Sequence, residues 1–196
     1  MRQFFIVLKI ALQLKSLKMK KHLLSIALIA FASIAITSCK KSDTTAATSA
    51  AATVTATNYG FDSNGTLGKF SSTTATITQA SVSGTDTFTL TAIKDGSNEA
   101  ITITILKKIT ATGKTTFAYN NTSIGSIVIS KDHTKPTDGT LNYTTLASNS
   151  TTKGGGELNI TKLDGNKVEG NFYFVAINSA GKEAWAENGA FTGTIK

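Results

Sequence analysis

The chain has 196 residues, one cysteine, one proline and a formal charge of +8 at pH 7. Six of its basic residues and none of its acids lie in residues 1–39, so 14 lysines against 12 acids leave residues 40–196 at +2. That remainder has no arginine and no basic stripe, which excludes a nucleic-acid footprint, and a lone cysteine excludes an intrachain disulfide framework.

In chain order, the first feature is an apolar run over residues 23–36, broken only by Ser25 and Ser33 and preceded by Lys20, Lys21 and His22. It is too short for a membrane-spanning helix and has the length of a signal-peptide core behind a positive n-region. The run ends in Ile36-Thr37-Ser38-Cys39. These four residues resemble a relaxed bacterial lipobox, with Ile36 in place of the usual Leu and Ser38 in place of Gly or Ala. Serine before the cysteine is common in lipoproteins of the Bacteroidota. The resemblance implies a diacylglycerol on the Cys39 thiol, cleavage just before it, and acylation (palmitate or a similar chain) of the new amine. Two or three acyl chains on one residue anchor far more firmly than one, because each buried methylene adds about 0.8 kcal/mol. Residues 1–18 stand awkwardly before a complete signal, and translation is expected to begin at Met19, with a long n-region as the alternative.

Residues 40–52, KKSDTTAATSAAA, have no large apolar side chain and read as a flexible tether. Lys40 directly after the cysteine implies, by analogy with lipoprotein sorting, release to the outer membrane. Asp43 is the only acid nearby, which leaves surface display and a periplasmic face both open.

Residues 53–196 are expected to form one antiparallel β domain of about nine or ten strands, a sandwich or, alternatively, an up-and-down barrel. Period-two alternation carries this expectation. Phe88, Leu90 and Ala92 alternate with Thr87, Thr89 and Thr91, and Ile101, Ile103 and Ile105 alternate with Thr102 and Thr104. β-Branched residues of this kind suit a pleated surface. Asp95-Gly96 and Asp164-Gly165 each separate two alternating runs and predict type I′ hairpins. Softer turn signals fall at Ser83-Gly84-Thr85, Ala111–Lys114 and Ser179-Ala180-Gly181, and Pro136 sits in a loop.

Residues 155–193 have a specific cadence. Gly156, Leu158, Ile160, Thr161, Leu163 and Asp164 form one hairpin arm. Val168, Gly170, Phe172, Phe174 and Ala176 form the other, and Asn188, Gly189 and Phe191 close the pattern. This pattern resembles an uncharacterised family of small lipoproteins of the Bacteroidota. The resemblance implies an antiparallel β domain on a lipid tether and no assigned activity.

Chemistry is sparse. His133 shares a loop with Asp132 and Asp138, too few nitrogen and sulfur ligands for a usual metal site, and no G-x-S-x-G elbow accompanies the serines. Glu157 and Glu169 lie opposite in parity to the core positions of their strands and are expected at the surface. Glu183 and Glu187 complete the set of carboxylates that a glycosidase pair would draw on. Asp62-Ser63-Asn64-Gly65 begins like a calcium loop but lacks its later ligands and reads as a turn. No catalytic residue, metal or cofactor is assigned. Phe88, Phe172, Phe174, Trp185 and Phe191 are expected in the core. Trp185 belongs there because it shares parity with Phe191 and Ile195. Tyr173, on the opposite face of a strand that is apolar on both sides, is the expected ligand-facing aromatic. The resulting expectation is a non-enzymatic, lipid-anchored binding or structural module of the envelope, with a glycan or an envelope protein as partner. A barrel carrying a small apolar ligand is the alternative, and a glycan-active enzyme comes third.

Overall fold

The computed structural model describes Ala52–Asp62 and Leu67–Lys196. Cys39, the signal segment, the tether and the rest of the Asp62–Gly65 motif lie outside these residues. The alternating segments form strands throughout, ten among the described residues. They are β1 (Ala52–Phe61), β2 (Gly68–Val82), β3 (Thr85–Ile93), β4 (Ala100–Ile105), β5 (Gly113–Ala118), β6 (Gly125–Ser130), β7 (Asn142–Thr144), β8 (Gly155–Asp164), β9 (Lys167–Ile177) and β10 (Glu183–Thr194).

These strands close on themselves, so the sandwich expectation is corrected to a barrel. The ring runs β1-β2-β3-β4-β6-β7-β9-β10 and returns to β1, eight strands in all, with every ladder antiparallel. The closure is asymmetric. β7 touches β9 through one residue pair, Thr144↔Ile177, and β8 takes the remaining length of β9 and in turn carries β5. Short hairpins join β2 to β3 and β8 to β9, an arrangement that serves sandwich and barrel equally. The β1–β10 ladder, which links the two ends of the domain, and the Thr144↔Ile177 pair between β7 and β9 complete the ring and distinguish them.

The turns are redistributed. Ser83 and Gly84 both have positive φ (51° and 81°) between Val82 and Thr85, so the tight I′ turn falls there. In the β8–β9 hairpin the two linking residues are Gly165 and Asn166, and only Gly165 has positive φ, the pattern of a II′ turn. Around Asp95-Gly96 the loop is longer, closed by a 2.8 Å hydrogen bond from Lys94 N to Glu99 O.

An eight-stranded ring is about wide enough for side chains to fill. Here Phe88, Leu90, Ile101, Ile103, Ile127 and Ile129 are all 0% exposed. Across β9 and β10, inward phenylalanines face glycines. Phe172 pairs with Gly189 and Phe191 pairs with Gly170, and a methyl group on either glycine would collide with the opposing ring. The bulk of each ring thus occupies the space a neighbouring side chain would take.

Both ends are covered. At one end Ile195 bridges Ile77, and Lys196 exchanges backbone hydrogen bonds with Ile77 and Gln79. At the other, the Tyr59, Phe61 and Tyr143 rings stack edge-on or tilted at 5.3–5.5 Å. Lys131 lies over Phe61 and Tyr143 and binds Asp62 at 2.7 Å. The Tyr143 hydroxyl donates to the same carboxylate at 3.1 Å.

Candidate functional site

The outer wall of the barrel is mostly Thr, Ser, Asn and Lys; among the described residues Leu67, Leu106 and Tyr119 are exposed just beyond strand ends, and β9 carries an exposed aromatic in mid-strand. Tyr173 points outward and is 53% exposed. Beside it Val175 and Trp185 also face outward, both half-buried. Trp185 sits across from Val175 on β9 and from Gly60 on β1. The six-membered ring of its indole lies against Gly60, where an added Cβ would meet Cζ2 at 3.2 Å. A glycine at this position lets the ring lie close to the sheet.

Trp185 is therefore not a core residue, contrary to its parity. A β-bulge is the reason. The β9–β10 register shifts between Ala186 and Gly189, and Asn188 adopts φ = 45°. One extra residue reverses which face each side chain takes. Upstream of the bulge Trp185 faces out, and downstream Phe191 faces in. β1 has a matching irregularity, with Asn58 at φ = 48° and register shifts on both sides of Thr57. The two distortions are tied together. Asn58 Nδ2 donates to Glu187 Oε2 at 2.7 Å, and Asn188 Nδ2 donates to Thr57 Oγ1 at 3.1 Å. Asparagine tolerates the left-handed region better than other non-glycine residues, so each supplies both the backbone turn and the cross-strand bond.

The resulting groove has a volume of ≈ 550 Å³, with Tyr173, Val175, Trp185, Glu183 and Glu187 in its lining. A second groove of ≈ 630 Å³ continues past Tyr173 and is lined by Asn171, Glu187 and Asn188. Tyr173 thus stands between two hollows on one continuous face. Both glutamates are held by neutral donors. Asn149 Nδ2 donates to Glu183 Oε1 at 3.0 Å, and with the Thr152 hydroxyl it holds the Glu183 carboxyl below the usual range.

The other sequence candidates do not converge. Glu157 and Glu169 are spent on Lys114 (3.1 Å) and Lys162 (2.9 Å). Asp132 and Asp138 each cap their own turn, accepting from Thr134 and Thr140. His133 Nδ1 lies 2.9 Å from the Asn98 carbonyl oxygen. Asp62, the described residue of the Asp62–Gly65 motif, is paired with Lys131, whose hydrogen bond holds its carboxyl below the ordinary pKa. Among the described residues no three His, Cys, Asp or Glu side chains gather to hold a metal. Inside the barrel, the Ser72 hydroxyl is buried without a hydrogen-bond partner.

No family model, curated protein or solved structure matches this chain.

Proposed function

We propose that this chain is a non-catalytic β-barrel binding module, tethered to the outer membrane through lipid on Cys39, and that its β9–β10 groove binds a saccharide. The observation that carries this is the outward Tyr173–Trp185 pair. Aromatic rings of this size normally bury their area. These two sit together on the strand faces of one wall, at a bulge held by reciprocal asparagine bonds. Aromatic faces with carboxylate and amide groups at their margins suit the flat apolar face and the hydroxyl rim of a sugar ring. Binding fits better than hydrolysis. Glu183 and Glu187 are four residues apart on one strand, so their Cα atoms lie about 13 Å apart by strand rise, and each already accepts hydrogen bonds from neutral donors.

Trp185 is the only tryptophan, so its emission reports on the groove directly. Titration of the detergent-purified protein with soluble cello-, chito- and chitosan oligosaccharides is expected to shift that emission saturably with at least one of them. Tyr173→Ala should abolish the shift while leaving the thermal transition in place. No shift with any oligosaccharide would reject the assignment. The address is tested separately by fractionating cells that carry wild type or Cys39→Ala. The variant should leave the membrane fraction, and protease shaving of intact wild-type cells distinguishes a surface from a periplasmic face.

A carrier of a small apolar ligand is the second reading, and the closed ring favours it over any sandwich-based module. The inward face is mostly apolar, and Ser72 is a buried hydroxyl in need of a partner. Because the interior is packed with Phe and Ile side chains, such a ligand would be small and would displace one of them. An apolar dye such as N-phenyl-1-naphthylamine should then brighten on binding in a Phe88→Ala-sensitive manner, without moving the Trp185 emission.

A further inference from the structure

We infer that the saccharide taken by the β9–β10 groove carries a free amine, so that its ammonium is read by Glu183 and Glu187 while its ring stacks on Tyr173 and Trp185. This inference rests on the saccharide assignment above and specifies the ligand's charge.

Charge and placement together carry it. Five carboxylates of the described residues have a lysine within 4 Å, namely Glu99, Glu157, Asp62, Asp132 and Glu169. Glu183 and Glu187 have none, as Asp86, Asp95, Asp138 and Asp164 have none, and what sets these two apart is that they line the aromatic groove. Both glutamates line the same groove, and both flank Trp185 at a spacing of two residues, which on a strand places all three side chains on one face. The groove is thus locally anionic on a slightly cationic chain.

The carboxylates are also positioned. Neutral groups fix them, Asn149 and Thr152 for Glu183 and Asn58 for Glu187, which orients each without cancelling its charge. Among the described residues Asn58 is the one donor to the Glu187 carboxylate, through Oε2, and Glu187 lines the groove with acceptor capacity left over. An uncompensated carboxylate next to an aromatic face suits a cation twice over, through a charge-assisted hydrogen bond and through attraction to the ring quadrupole. A neutral sugar uses the stacking face and offers the carboxylates only hydroxyl donors, without charge. An N-acetylated one loses the charge and adds bulk where the carboxylates stand. A carboxylated sugar meets like charge.

The experiment is a Trp185 emission titration of the full-length protein with four probes at low salt and mildly acid pH. The probes are the β-1,4-linked hexamers of glucosamine, N-acetylglucosamine and glucose, and spermidine as a cation without a ring. Glucosamine hexamer is expected to bind about tenfold or more tightly than the other three. The preference should shrink toward unity in Glu183→Gln, Glu187→Gln and at high salt, chiefly through lost affinity for the glucosamine hexamer. Both variants keep the side-chain volume and remain able to accept from Asn149 and Asn58, so folding is not at risk. Equal binding of the three hexamers would overturn the amine and leave the saccharide assignment standing. Spermidine binding as tightly as the glucosamine hexamer would overturn the ring's contribution. Silence from all four would overturn both.

Discussion

β9 and β10 use one device on both faces, an aromatic ring laid over a glycine of the neighbouring strand, with opposite consequences. On the inside, Phe172 covers Gly189 and Phe191 covers Gly170, and a methyl on Gly170 would come within 2.5 Å of the Phe191 ring. Nothing there can yield, because the rings are 2% and 4% exposed and enclosed by the rest of the wall. On the outside, Trp185 covers Gly60 at a looser 3.2 Å, with solvent above it. The inner pairs account for themselves by packing. The outer one leaves aromatic surface exposed, together with Tyr173, and packing alone does not explain that. The same residue types thus build a core on one side of the sheet and a platform on the other.

Truncation on the two faces should separate these roles most sharply. Phe172→Ala removes a buried ring that fills the space over Gly189 and is expected to cost about 3–5 kcal/mol in urea unfolding. Gly170→Ala forces a clash with Phe191 and is expected to cost about 1–3 kcal/mol. Tyr173→Ala should stay within about 0.5 kcal/mol of wild type, as exposed substitutions do, while removing oligosaccharide binding. A Tyr173→Ala loss as large as that of Phe172→Ala would mean that the outer ring is structural after all.

The next contrast is between the two glycine contacts. Gly60→Ala asks the indole to move only a few tenths of an ångström, into solvent. Its stability cost should fall well below that of Gly170→Ala, and the Trp185 emission maximum should shift to the red. Ser72→Ala probes the interior in the other direction. The hydroxyl is buried and unpartnered, so its removal should be neutral or stabilising by up to about 1 kcal/mol. A clear destabilisation would show that the hydroxyl has a partner in solution, as the carrier reading requires.

Much of this was legible in the sequence, and what was not has a physical cause. Alternation identified the strands, and the burial of Phe88, Leu90, Phe172 and Phe174 follows from it directly. Tyr173 was visible as the odd aromatic because its strand is regular from Val168 to Ile177. Trp185 was not, since parity counts residues and a bulge adds one. Asn188-Gly189 was the available signal, an asparagine suited to positive φ beside a glycine, placed between two inward runs. Asn58-Tyr59-Gly60 on β1 carries the same signal. Closure was also hidden, because it depends on β1 meeting β10 across 130 or so residues, and no local pattern specifies such a pairing. Ile177 shares Tyr173's face but is 0% exposed. Its bridge to Thr144 is a tertiary contact that alternation cannot anticipate.

The smallest expected effect lies at the covered end of the barrel, and it contrasts with the groove in how its charge is met. Asp62 is neutralised by Lys131 at 2.7 Å, whereas Glu183 is held by amide and hydroxyl donors alone. The Asp62 carboxyl is depressed below its unfolded value, chiefly by the hydrogen bond from Lys131. Its contribution is therefore present above the unfolded carboxylate range and is lost as pH falls through the depressed folded value. Lys131 is raised by Asp62 and Tyr143 against the opposing effect of burial, so its share is complete below its unfolded pKa and fades as pH climbs through the raised one. Stability from this pair should form a plateau between those limits. Asp62→Asn should lower that plateau by less than about 1 kcal/mol, because both side chains are a third or more exposed and water screens them. Glu183→Gln should flatten the acid limb as well, since its folded pKa is also depressed, but it should leave the alkaline limb untouched for want of a lysine partner. An alkaline change in Glu183→Gln would reveal a cation at the groove, and the vacancy assigned there to a ligand's ammonium would already be filled by the protein itself.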